Sequence, residues 1–148
     1  MILYHHTDEK LLETIKAEGL KPGKDCYRNW VPLLGLETPT ENCVWFSTDP
    51  TWNLHTFHEF FATPHVSVSV DIDRNDNKLL KLATLLQKAK QWVGQSPVVK
   101  QTGKTCYLYL GTVPPDKFIN VQPIVYTFAD GSTGRTWDDL EAYRKRTA

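Results

Sequence analysis

The segment His65-Val66-Ser67-Val68-Ser69-Val70-Asp71-Ile72 alternates strictly between polar and apolar side chains. A period of two places Val66, Val68, Val70 and Ile72 on one face of a strand and Ser67, Ser69 and Asp71 on the other. Such a strand has one face for a core and one for water, and it needs partner strands on its edges. Two other segments read as strands of a different kind. Met1-Ile2-Leu3-Tyr4-His5-His6-Thr7 and Val44-Trp45-Phe46-Ser47-Thr48-Asp49-Pro50 are apolar runs that finish in polar groups and lead directly into a helix start. If those two ends lie side by side, they form a polar pocket with aromatic walls.

The remaining pattern fills in an α+β chain with a mainly antiparallel sheet. Strands are expected over 1–6, 43–47, 65–72, 105–112, 118–121 and 124–128. A helix over Asp8–Glu18 carries Leu11, Leu12 and Ile15 on its apolar face, Thr7 or Asp8 as cap and Gly19 as stop. Asp49-Pro50 opens a helix that runs to about Phe61. A further helix is expected over Asn75–Trp92, where Leu79, Leu80, Leu82, Ala83, Leu86 and Ala89 recur at helical spacing. The last helix covers Thr136–Lys145. Residues 19–41 and 94–104 read as loops, the first long enough to be functional.

Composition excludes several classes of function. The 148 residues, 41% hydrophobic, suit one globular domain. The 17 basic and 17 acidic residues cancel, so there is no footprint for general duplex nucleic-acid binding and no polybasic membrane surface. No apolar run approaches the roughly 18–20 residues of a spanning helix, and no secretory signal is visible at the N-terminus. Cys26, Cys43 and Cys106 form no CxxC pair. Their odd number and wide spacing fit a reduced, cytoplasmic compartment.

Four groups of residues could carry chemistry. In Tyr4-His5-His6-Thr7 the two imidazoles point to opposite faces of a strand, so one of them at most lines a given cleft. A neutral imidazole both donates and accepts, which suits a ribose hydroxyl pair. Ser47-Thr48-Asp49-Pro50 is a helix cap, and the helix N-terminus behind it offers N–H groups to an anion. On that helix Trp52, His55 and His58 share a face, but His55-x-x-His58 lacks the HExxH spacing of zincins and no metal is expected. The segment Thr105–Ile119 is a strand, a rigid Val113-Pro114-Pro115 turn and a second apolar anchor. There is no GxGxxG, no GxxxxGK[ST] and no GxSxG.

Taken in order, three of these segments resemble the ADP-ribosyltransferase-like superfamily. Leu3-Tyr4-His5-His6-Thr7, with its helix closed by Glu18-Gly19-Leu20, is similar to the first motif. Val44-Trp45-Phe46-Ser47-Thr48 is similar to the second, and Tyr107–Ile119 to the last core strand and Pro turn of small members. The resemblance implies a split sheet with NAD, as substrate, in a central cleft. It implies that His5 orients the adenosine ribose with Tyr4, His6 and Thr7 around it, and that Trp45, Ser47 and Thr48 flank the nicotinamide side. It implies that Trp52 or Phe57 stacks on nicotinamide with His55 nearby, and that Arg28, with Tyr27 and Trp30 in the long loop, covers NAD or meets the acceptor. His5, Ser47, Trp52 and His55 are then the catalytic candidates, and the acceptor is a protein, a nucleic acid or a small molecule. The chain departs from the pattern at one point. Many such transferases have a Glu on the last strand, where this chain has Thr105-Cys106-Tyr107, and no Glu occurs between Glu59 and Glu141. That departure leaves three alternatives: a transferase using another residue, a relative of the Glu-lacking RNA 2′-phosphotransferases, or a module that binds NAD or ADP-ribose without turnover.

Overall fold

A computed structural model describes residues 1–22, 43–51, 62–84 and 104–148. Its centre is a six-stranded antiparallel sheet. β1 (Ile2–Asp8) is followed by a 3-10 turn (Glu9–Leu11) and α1 (Leu12–Glu18). The sheet continues with β2 (Cys43–Ser47), β3 (His65–Asp71), β4 (Leu79–Lys81), β5 (Cys106–Leu110) and β6 (Phe118–Pro123). A hairpin of β7 (Tyr126–Thr127) and β8 (Thr133–Gly134) and a last helix, α2 (Trp137–Thr147), complete the chain. The architecture is α+β.

The strand order is β4-β5-β2-β1-β3-β6, and the order hides a division. β1 pairs with β3 along its whole length, from Ile2↔Asp71 to Asp8↔His65. β2 pairs with β5 from Cys43↔Leu110 to Ser47↔Cys106. Between β1 and β2 the register holds at one position, Tyr4↔Ser47. The sheet is therefore two three-stranded halves, β4-β5-β2 and β1-β3-β6, meeting at a narrow seam.

The alternation of β3 has its expected outcome. Val66, Val68, Val70 and Ile72 are buried, while Ser67 and Ser69 are half-exposed and Asp71 is exposed. Val68, Val70 and Ile72 join Leu3, Phe46, Val44, Tyr109 and Val113 with Ile15 and Leu20 from α1 and its end. Each such side chain contributes roughly 1.5–3 kcal/mol by leaving water, and β-branched residues suit the pleated surface.

Several boundaries differ from the sequence reading. Leu79 and Leu80 are in strand, not helix. Their register with Tyr109 and Leu108 gives them a β partner, and that tertiary pairing overrides leucine's helical propensity. Helix begins only at residues 82–84, and 85–103 lie outside the described residues. β1 extends to Asp8, whose carboxylate caps the 3-10 turn by accepting from the Lys10 N–H at 3.0 Å. Leu11 consequently falls on the tight turn and is exposed, leaving Ile15 as the buried residue of α1. The Pro turn forms a short 3-10 helix over Pro115–Lys117, and the β segment expected over 124–128 shrinks to two residues. Asp49 accepts from the Thr51 N–H at 2.8 Å, as a helix cap would, but the body of that helix (52–61) and most of the long loop (23–42) are outside the described residues. Among the described residues no helix is long and apolar enough to cross a membrane.

Candidate functional site

The seam is where the sequence-predicted residues gather, though not by the route expected. β1 and β2 run antiparallel, so their C-terminal ends point in opposite directions. The side-by-side strand ends are thus a correction: the pairing puts Ser47 beside Tyr4, not beside Thr7. It also sorts the candidates by face. Tyr4, His6, Trp45 and Ser47 share one face, and His5 and Thr7 share the other with Phe46 and Val68.

His5 spans the seam. Its Nδ1 lies 2.8 Å from the carbonyl oxygen of Trp45, and its ring meets Phe46 edge-on at 5.8 Å between centroids. A carbonyl can only accept, so Nδ1 carries the proton and donates. Burial pushes the His5 pKa down, against the opposing pull of the Trp45 carbonyl. The ring is thus neutral near pH 7, with Nε2 as an acceptor that no described residue occupies. One side chain replaces a missing ladder hydrogen bond and presents a fixed lone pair in the same stroke.

The other candidates divide into structural and accessible positions. His6 is 7% exposed, and burial lowers its pKa to about 4. Ser47 is fully buried, and its Oγ accepts from the Asp49 N–H at 3.0 Å, which makes it a cap within the turn. Trp45 is buried opposite Leu108, so its indole belongs to the sheet face. Thr48 is exposed and its N–H donates to the Thr105 carbonyl at 2.9 Å. Tyr4 and Thr7 are half-buried. Arg28, Trp52, His55 and Phe57, with Tyr27, Trp30 and His58, lie outside the described residues. Cys43 and Cys106 are buried free thiols. Burial raises both, Cys106 to about 11, so neither supplies a thiolate near neutral pH. Among the described residues no cluster of His, Cys, Asp and Glu is placed to hold a metal.

A second feature was invisible in the sequence. A cavity of about 680 Å³ opens beside the start of β1, lined by residues that include Thr48, Arg74, Leu79, Lys81, Lys104 and Tyr107. These residues come from separate turns and strands. The β4-β5 pairing sets Lys81 opposite Tyr107, and the Thr48 N–H bond to the Thr105 carbonyl brings Thr48 beside the start of β5. No local spacing could have marked them.

No family model and no curated protein matches the chain. Among solved structures, one named EcPltA superposes with a TM-score of 0.59 at 9% identity, over 90% of this chain and 81% of that one. At such identity the likeness is one of fold alone.

Proposed function

We propose that the chain is an NAD-binding protein of the ADP-ribosyltransferase-like kind, and that it transfers ADP-ribose to an acceptor. The observation that carries this reading is the seam with His5 across it. The Tyr4-His5-His6-Thr7 motif falls on the strand that borders the division, and the imidazole is locked in one tautomer with Nε2 available to a ribose hydroxyl. In the reaction the bond from the ribose C1′ to the nicotinamide nitrogen breaks. Nicotinamide leaves with the electron pair, and the acceptor's nucleophile bonds to C1′. His5 holds the adenosine ribose and so fixes NAD in place while charge develops at C1′ of the nicotinamide ribose.

A second reading has its own support. β5 offers Cys106, Tyr107, Leu108, Tyr109 and Leu110 and no carboxylate. Loss of one preorganised contact to a developing charge costs about 10²–10³ in rate. A protein that binds NAD or ADP-ribose without turning it over fits that strand equally well.

A proton NMR time course of NAD separates the two. The parent protein is expected to release free nicotinamide. His5→Asn keeps an N–H donor for the Trp45 carbonyl and removes the Nε2 acceptor, so it should bind NAD roughly tenfold more weakly while melting at the parent temperature. NAD left intact but broadened by the parent protein favours the binding module. Sharp lines, or a His5→Asn protein that consumes NAD like the parent, would overturn the proposal.

A further inference from the structure

We infer that the cavity beside the start of β1 is a binding site for a small phosphorylated molecule that carries a planar ring. Its wall concentrates positive charge in a chain whose net charge is zero. Arg74 comes from the turn after β3, Lys81 from the end of β4, and Lys104 from just before β5. All three are exposed, and none takes part in an ion pair among the described residues. The carboxylates nearby in sequence have partners of their own. Asp71 is held by the Met1 amino group at 2.9 Å. Asp73 accepts from the Asn75 N–H at 2.8 Å. Asp76 accepts from the Lys78 N–H at 2.9 Å and from the Tyr109 hydroxyl at 3.4 Å. None of these carboxylates lines the cavity.

Three cations around one concavity, with no acid among the described residues of its wall, attract an anion, and a concave wall focuses that potential. Arg and Lys together supply several charge-assisted donors, the pattern that suits phosphate oxygens. The hydroxyl of Thr48 adds a neutral donor. The volume, about 680 Å³, lies within the roughly 300–1,000 Å³ of small-molecule sites and is far larger than a bare phosphate needs. The rest of the wall is suited to the remainder of such a ligand. Tyr107 is half-buried with a ring face for stacking, and Leu79 provides apolar surface beside it. Tyr107 also sits opposite Phe46, the residue whose ring touches His5, so the cavity adjoins the seam. The inference does not depend on NAD being the ligand at His5.

The test is a titration of the full chain with adenosine 5′-monophosphate, followed by 31P and proton NMR, beside adenosine and inorganic pyrophosphate. The monophosphate is expected to bind, with adenosine and pyrophosphate each at least about tenfold weaker, because each lacks one half of the recognition. Lys81→Gln/Lys104→Gln, at two exposed positions, should melt like the parent and bind the monophosphate about a hundredfold more weakly, about tenfold for each charge-assisted hydrogen bond lost. Affinity should also fall as salt rises. The inference is overturned if the monophosphate does not bind, if adenosine binds as well as its phosphate, or if pyrophosphate binds as well as the nucleotide. It is equally overturned if the double variant keeps parent affinity while His5→Asn loses it, which would assign the nucleotide to the seam.

Discussion

His6 is a side chain whose charge the fold constrains strongly. It is buried on the face it shares with Trp45, opposite Ser67 of β3. Desolvation dominates its titration; the neighbouring imidazoles of His5 and His65 push the same way, and the Pro50 backbone and Asp49 oppose them without prevailing. The folded protein therefore binds this proton near pH 4 and the unfolded chain near pH 6.5. Between those values the unfolded state holds more protons, so acid favours unfolding. Stability from neutral His6 is complete above pH 6.5, declines by up to about 1.4 kcal/mol per pH unit, and is gone near pH 4. Denaturant unfolding of the parent and of His6→Asn across pH 7 to 4 should show a gap in slope confined to that window. Parallel curves would mean that His6 does not titrate there. This behaviour was only half legible in the sequence. Alternation implies that His5 and His6 point oppositely, but which of them meets the seam depends on the β1–β2 register, which is a long-range property.

At the level of elements, the end of α1 is the tightest junction. Gly19 has φ +92°, and a Cβ there would sit 2.3 Å from the Val113 carbonyl oxygen. The next residue, Leu20, exchanges both backbone hydrogen bonds with Val113, each 2.9 Å long. Gly111 has a similar φ of +85° but open space around it. Gly19→Ala should thus cost on the order of 3 kcal/mol, strain plus clash, and Gly111→Ala only about 1 kcal/mol of strain. Thermal melts of the two variants test this; equal losses would remove the clash from the account. Gly19 as a helix stop, the β2 boundaries and the start of the last helix near Thr136 could all be read locally, because each depends on residues within a few positions. The Leu79-Leu80 strand could not. A leucine-rich stretch satisfies either period, and its conformation is decided by β5, more than 25 positions away in the sequence. The same distance concealed the cations of the cavity.

In the whole molecule, Arg135 ties the C-terminal hairpin and α2 to the sheet. Arg135 pairs with Glu9 at 3.1 Å and donates to the carbonyls of His65 at 2.8 Å and Ile124 at 3.2 Å. α2 itself buries no residue; a capping box at Thr136 and a stacked Phe128–Tyr143 pair, 4.7 Å apart, hold it to its own hairpin. Arg135→Met should therefore loosen this unit by about 2 kcal/mol. Amide exchange should quicken across β7, β8 and α2 while β1 and β3 keep their protection. A uniform change across all elements would refute this division of the molecule. Each three-stranded half closes its own ladders, so the halves resemble two leaves bound by a single stitch, Tyr4 to Ser47, with the His5 imidazole as the knot. A guest that slips between them parts the Tyr4–Ser47 pairing and the His5–Trp45 bond and leaves the ladders of both leaves whole.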